Sequence, residues 1–114
     1  VKFVYLSNNS FIGTMPSNFQ NPPLLRDFYI DGNFLTGTIP TVQPGRLMEL
    51  NEILLQYNLL TGTMPRSMCD LRLDALLDDL FADCGGTEPE IECDFPDCCN
   101  RCFFGERPTR QRLI

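Results

Sequence analysis

The stretch FLTGTIP, residues 34–40, recurs as LLTGTMP at 59–65 and, less closely, as FIGTMP at 11–16. A single copy would be an ordinary turn signal. Three copies at a near-constant period mark an array, in which each unit buries its apolar flank against the next. Anchoring on Asn9, Asn33 and Asn58, which stand 24 and 25 residues apart, fits one template to all three copies. The first runs Val1, Val4, Leu6, Asn9, Phe11, Gly13, Met15, Pro16. The second runs Leu25, Phe28, Ile30, Asn33, Leu35, Gly37, Ile39, Pro40. The third runs Leu50, Ile53, Leu55, Asn58, Leu60, Gly62, Met64, Pro65. The shared pattern is LxxLxLxxNxLxGxIP.

The alternation in LxL is that of a short strand. Strands at equivalent places in successive repeats lie side by side and parallel, about 4.8 Å apart. Each asparagine falls where the chain leaves the strand, and its amide offers donors and an acceptor to turning backbone. The glycines supply unusual dihedrals or relieve crowding. The prolines end the extended segment.

This pattern resembles the plant-type leucine-rich repeat, whose repeats run near 24 residues and carry LxGxIP after the asparagine. The matched region covers residues 1–65. The cysteine-rich end, with ADCGG and CC, is similar to the C-terminal cap of secreted or cell-surface members found in plants and unicellular algae. The resemblance implies an α/β solenoid with short parallel strands on its concave face and an irregular or helical convex side. It also implies a second short strand at each TGTIP segment. The expected organisation is about three repeats over 1–66, a cysteine-rich cap with one short helix over 67–102, and a flexible basic tail over 103–114. The opening on Val1, inside an apolar pattern, gives the expectation of a fragment.

Charge is unevenly placed. Residues 1–65 carry three basic and four acidic groups, 66–102 three and ten, and 103–114 three and one, for a net charge of −6. Nucleic-acid binding needs clustered Lys and Arg, which this balance lacks. No apolar run approaches the ~20 residues of a membrane span, so membrane attachment is expected only through segments outside this chain. Cys69, Cys84, Cys93, Cys98, Cys99 and Cys102 fall in the last 46 residues. An even, clustered set beside an acidic loop reads as disulfides formed in the secretory pathway, at the cell surface or outside the cell. Six cysteines permit 15 pairings, and the sequence does not choose among them. Cys99-x-x-Cys102 has the spacing of a zinc knuckle, and zinc is the alternative reading of the cluster.

The segment 67–80, SMCDLRLDALLDDL, is the best helix candidate, with Ser67 placed to cap it and Leu73, Leu76, Leu77 and Leu80 as its apolar stripe. Asp70, Asp74 and Asp78 would share one face of that helix, a solvated acidic surface rather than a calcium loop. LFADC at 80–84 reads as a last, imperfect strand.

The variable strand positions of a solenoid face its concave side. Here they form columns. One holds Tyr5, Tyr29 and Leu54 and extends to Phe81. It is flanked by Asp27 and Glu52 on one side and by Asp31, Gln56 and Asp83 on the other, with Tyr57 beyond. An exposed aromatic stripe between carboxylates suits a protein or peptide ligand, preferentially a basic one. The competing reading is that aromatic residues merely cover a sheet. Asn8-Asn9-Ser10 is a glycosylation acceptor sequence on Asn8. With no histidine in the chain, Ser–His and Cys–His nucleophile systems are excluded, and no phosphate-binding glycine loop occurs. The expected function is therefore extracellular recognition, not catalysis, with no cofactor and no metal. The alternative is a structural surface repeat without a discrete ligand.

Overall fold

The computed structural model describes residues 2–94 and 98–105. Chain order is β1 (Phe3–Tyr5), β2 (Ile12–Thr14), a 3-10 turn (Ser17–Gln20), β3 (Asp27–Tyr29), β4 (Phe34–Gly37), β5 (Glu52–Leu54), β6 (Leu59–Leu60), β7 (Gly62–Thr63), α1 (Arg66–Asp74), β8 (Asp79–Ala82), β9 (Ile91–Glu92) and β10 (Arg101–Cys102). One sheet runs β1-β3-β5-β8-β10, all parallel. A second, β2-β4-β6, lies at or just before the TGTIP segments, where the resemblance implies a strand, and in the third repeat the TGTMP segment itself holds β7, which pairs with β9.

Register follows the template. Val4 stands beside Phe28, Phe28 beside Ile53, and Ile53 beside Leu80. The inward residues Leu25, Phe28, Ile30, Leu50, Ile53, Leu55, Leu77, Leu80 and Ala82 are buried, so each coil covers its neighbour. On the convex side Phe19 and Met68 close the core, and the Phe19 ring stacks on Phe28 at 5.3 Å. In the first repeat Leu6 and Phe11 remain exposed.

The asparagines line up as a ladder. Asn33 Nδ2 donates to the carbonyls of Ile30 and Asp31 in its own coil and of Leu6 in the coil before, while its Oδ1 accepts from Phe11 N. Asn58 repeats this with Leu55, Gln56 and Ile30, and accepts from Leu35 N. Both are buried. Asn9 is exposed and, among the described residues, bonds within its own coil, to the Leu6 and Ser7 carbonyls. A second rung, on the convex side, was not legible as a motif: buried Gln20 donates to Thr41 O and accepts from Gln43 N. Gly37 and Gly62 have positive φ, and a Cβ on either would press on a threonine methyl of the preceding coil, Thr14 or Thr38.

The helix differs from the sequence expectation. It spans Arg66–Asp74, not 67–80, and Pro65 occupies its cap position. Ser67 does not cap it; its Oγ accepts from Val42 N in the coil before. The chain leaves the helix at Ala75 because Asp78 N and Asp79 N are claimed by Asn51 O, which starts the next strand. Leu77 and Leu80 are buried as strand-side core residues. Leu73 and Leu76 are exposed and form no stripe; the buried helix residues are Met68, Cys69 and Leu71. Asp78 likewise lies off the helix, where it accepts from Asn51 Nδ2, so the three aspartates do not share one helical face.

Three bridges close the cap: Cys69–Cys98, Cys84–Cys102 and Cys93–Cys99. The adjacent cysteines 98 and 99 take different partners. The sulfurs of Cys93, Cys98 and Cys99 lie within 4.8 Å of one another because two bridges sit side by side, and sulfur in a bridge is no thiolate ligand. Of the tail expected over 103–114, residues 106–114 lie outside the described residues, as does the expectation that they are flexible. Phe103 is part of the cap, where its carbonyl accepts from Gly85 N.

Candidate functional site

The register places the expected columns on one sheet face. Phe3, Asp27, Glu52 and Asp79 form one row across β1, β3, β5 and β8. Tyr5, Tyr29, Leu54, Phe81 and Arg101 form the next, two residues along, and it reaches β10. Asp79 and Arg101 were not singled out from the sequence. The signal for the former was present: Leu77, Leu80 and Ala82 follow LxxLxL, with Gly85 where the asparagine belongs.

The tyrosines form a braced pair. Their ring centroids are 4.7 Å apart, and Phe3 stacks behind Tyr5 at 5.9 Å. Tyr5 Oη donates to Asp27 Oδ2 at 2.8 Å, and Tyr29 Oη donates to Glu52. Each hydroxyl therefore reaches one coil ahead. The hydrogen bond to Asp27, followed by burial and carboxylate charge, raises the Tyr5 pKa. The same causes, led by the bond to Glu52, raise that of Tyr29. Both phenols remain protonated donors at neutral pH. At Glu52 the Tyr29 hydroxyl pulls the pKa down, but the Asp79 carboxyl beside it, burial and the charges of Asp27 and Asp79 outweigh that pull. The net shift is upward.

The expected carboxylates do not all face solvent. Asp27 is buried and takes the Tyr5 hydroxyl; Asp31 accepts from Ser7 Oγ. Asp83 is 3% exposed and does not line an open face. Its carboxylate accepts from Tyr57 N at 3.0 and 2.9 Å and from Asn58 N at 3.3 Å, ending the asparagine ladder at the cap. It also holds Tyr57 at φ 62°, the left-handed conformation shared by Asn8 and Gly32 at the equivalent turns. A bulky residue pays strain there, so Asp83 fixes a turn that the tyrosine would otherwise resist. Replacing Asp83 by alanine leaves two backbone donors unpaired. It should lower the unfolding free energy in urea by about 2–3 kcal/mol, while Asp83→Asn, which keeps an acceptor, should lose clearly less. Equal losses would remove the carboxylate from this role.

At the C-terminal end Tyr57 meets Phe103 edge-on at 5.2 Å, and Phe103 lies 5.9 Å from Phe81. Asn8 is exposed, and its side chain folds over Gly32, where a Cβ would collide with its Oδ1. Where the strands begin, Lys2, Leu24, Arg26, Asn51, Leu76 and Asp78 line an open groove of about 360 Å³. No helix of the described residues is long and apolar enough to cross a membrane.

Parallel strands, one per coil, with an asparagine ladder at each exit and a cysteine-bridged end, define a leucine-rich repeat solenoid with a disulfide-rich cap. A family model described as Leucine Rich Repeat matches residues 1–22. Pollen receptor-like kinase 2 of Arabidopsis thaliana is 34% identical over 67 residues, 59% of this chain; the chain spans 10% of that relative's length. No solved structure matches the chain. In its fold and in these two matches the chain is similar to plant-type leucine-rich repeat proteins.

Proposed function

We propose that the chain is an extracellular recognition module that binds a protein or peptide segment across its concave face, and that its role is binding, not catalysis. The observation that carries this is the pair Tyr5 and Tyr29. Tyr5 is 58% exposed, yet both rings are held in place by hydrogen bonds to carboxylates of the following coil. An aromatic surface fixed before binding loses little side-chain freedom on contact. Leu54 and Phe81 continue the stripe. Glu52 and Asp79 beside it support a basic group in the partner. The three bridges and the acceptor sequence on exposed Asn8 support residence outside the cell and a glycan at Asn8, beside the stripe's first coil. The likeness to a receptor-like kinase supports the same location.

The test is selection of linear peptides from a displayed random library on the folded protein. Selected peptides should bind Tyr5→Ala/Tyr29→Ala at least about tenfold more weakly, as removal of central aromatic anchors does. Tyr29→Phe, which keeps the ring and frees Glu52, should lose less. Undiminished binding to the double alanine variant would remove the concave stripe as the site.

A further inference from the structure

The aromatic stripe ends in a cation. Arg101 stands in register with Phe81, so its side chain continues the column begun by Tyr5 and Tyr29. Its guanidinium carbon lies 5.8 Å from the centre of the Phe81 ring and 4.8 Å from that of Phe103. Arg101 is exposed and has no carboxylate partner among the described residues. That is unusual in a segment with ten acidic groups over residues 66–102.

A guanidinium laid on aromatic faces uses its π surface and leaves its N–H edge unused. The stacking also limits the rotamers the side chain visits, so less freedom is lost when a fork-shaped acceptor arrives. Two parallel N–H donors match the two oxygens of a carboxylate. We infer that Arg101 is the charge-reading residue of the concave face: it seats an acidic side chain of the bound peptide segment. This rests on the concave-face reading and names the partner's chemistry. The net charge of −6 disfavours a polyanion, since the rest of the molecule would repel it, whereas one carboxylate within a mixed-charge peptide is tolerated. The acidic group would bind one strand over and two residues along from Asp79, roughly 8 Å away, so a ligand with a basic group there carries the two charges two or three extended residues apart.

Peptides selected on the wild-type protein should be enriched in Asp or Glu at one position. Each such peptide should bind its own Gln or Asn analogue's target about tenfold more tightly than the analogue does, the scale of a charge-assisted hydrogen bond. On Arg101→Gln the acid and amide peptides should bind alike, and Arg101→Lys should retain part of the preference. An unchanged thermal midpoint for Arg101→Gln shows that the fold is intact. Acid and amide peptides that bind wild type equally, or a preference that survives in Arg101→Gln, overturn the assignment while leaving the tyrosine stripe standing. Failure of wild type to select any peptide overturns both.

Discussion

Replacing Asn58 by alanine should lower the unfolding free energy by about 2–4 kcal/mol, from the Leu35 amide and the Leu55 carbonyl left without the side chain that pairs them in the interior. Asn58 is 1% exposed and bonds the Leu35 amide and the carbonyls of Ile30, Leu55 and Gln56, joining two coils through one side chain. Asn9→Ala removes the same chemistry from an exposed turn with two local bonds and should cost less than about 1 kcal/mol. Urea unfolding of the two variants followed by far-UV circular dichroism gives the comparison. Similar losses would mean that the ladder acts locally and does not couple the coils.

Deleting the Cys69–Cys98 bridge by paired alanine substitution should cost about 3–4 kcal/mol. Its partners are separated by 29 residues, the longest loop closed in the chain, and the freedom returned to the unfolded state grows with loop length. It also ties the helix to the segment leading into β10. Cys93–Cys99, with a separation of six, should cost roughly 1–2 kcal/mol less, and Cys84–Cys102, with 18, should fall between. Thermal unfolding of the three paired variants ranks them. A ranking with Cys93–Cys99 as the most costly would show that the bridges act by holding native geometry and not by restricting the unfolded chain.

The repeats were legible because one physical demand is written several times. Each coil needs three inward residues, an asparagine at the strand exit and a proline after the outer strand, and agreement among copies gave the parallel register without further information. The cap was less legible because its demands are met once. Leu77 and Leu80 satisfy a helical stripe and a coil pattern equally well, and the pull of Asn51 O on the backbone at 78–79 decides between them. Asp83 read as an exposed charge because its column occupies variable positions of the repeat, yet Gln56 in the same column is buried as well. The Asp83 carboxylate turns inward to the Tyr57 amide because the Asp83 carbonyl, counterpart of the Gln56 carbonyl that pairs Gly32 N, is taken by Ile91 N. Arg101 and Phe103 belong to no repeat, so nothing in the pattern brought them to the end of the tyrosine stripe. The pairing of six cysteines depends on which loops meet in space and lies beyond spacing alone.

A stack of like coils has no natural length: any sheet edge left bare invites another. Here the final edge is met by the two residues of β10, too few to serve as a template, and Cys84–Cys102 fastens that strand to the coil it covers. The outermost strand is thus held by a covalent clasp, and reduction should loosen β10 and bare the outer edge of β8.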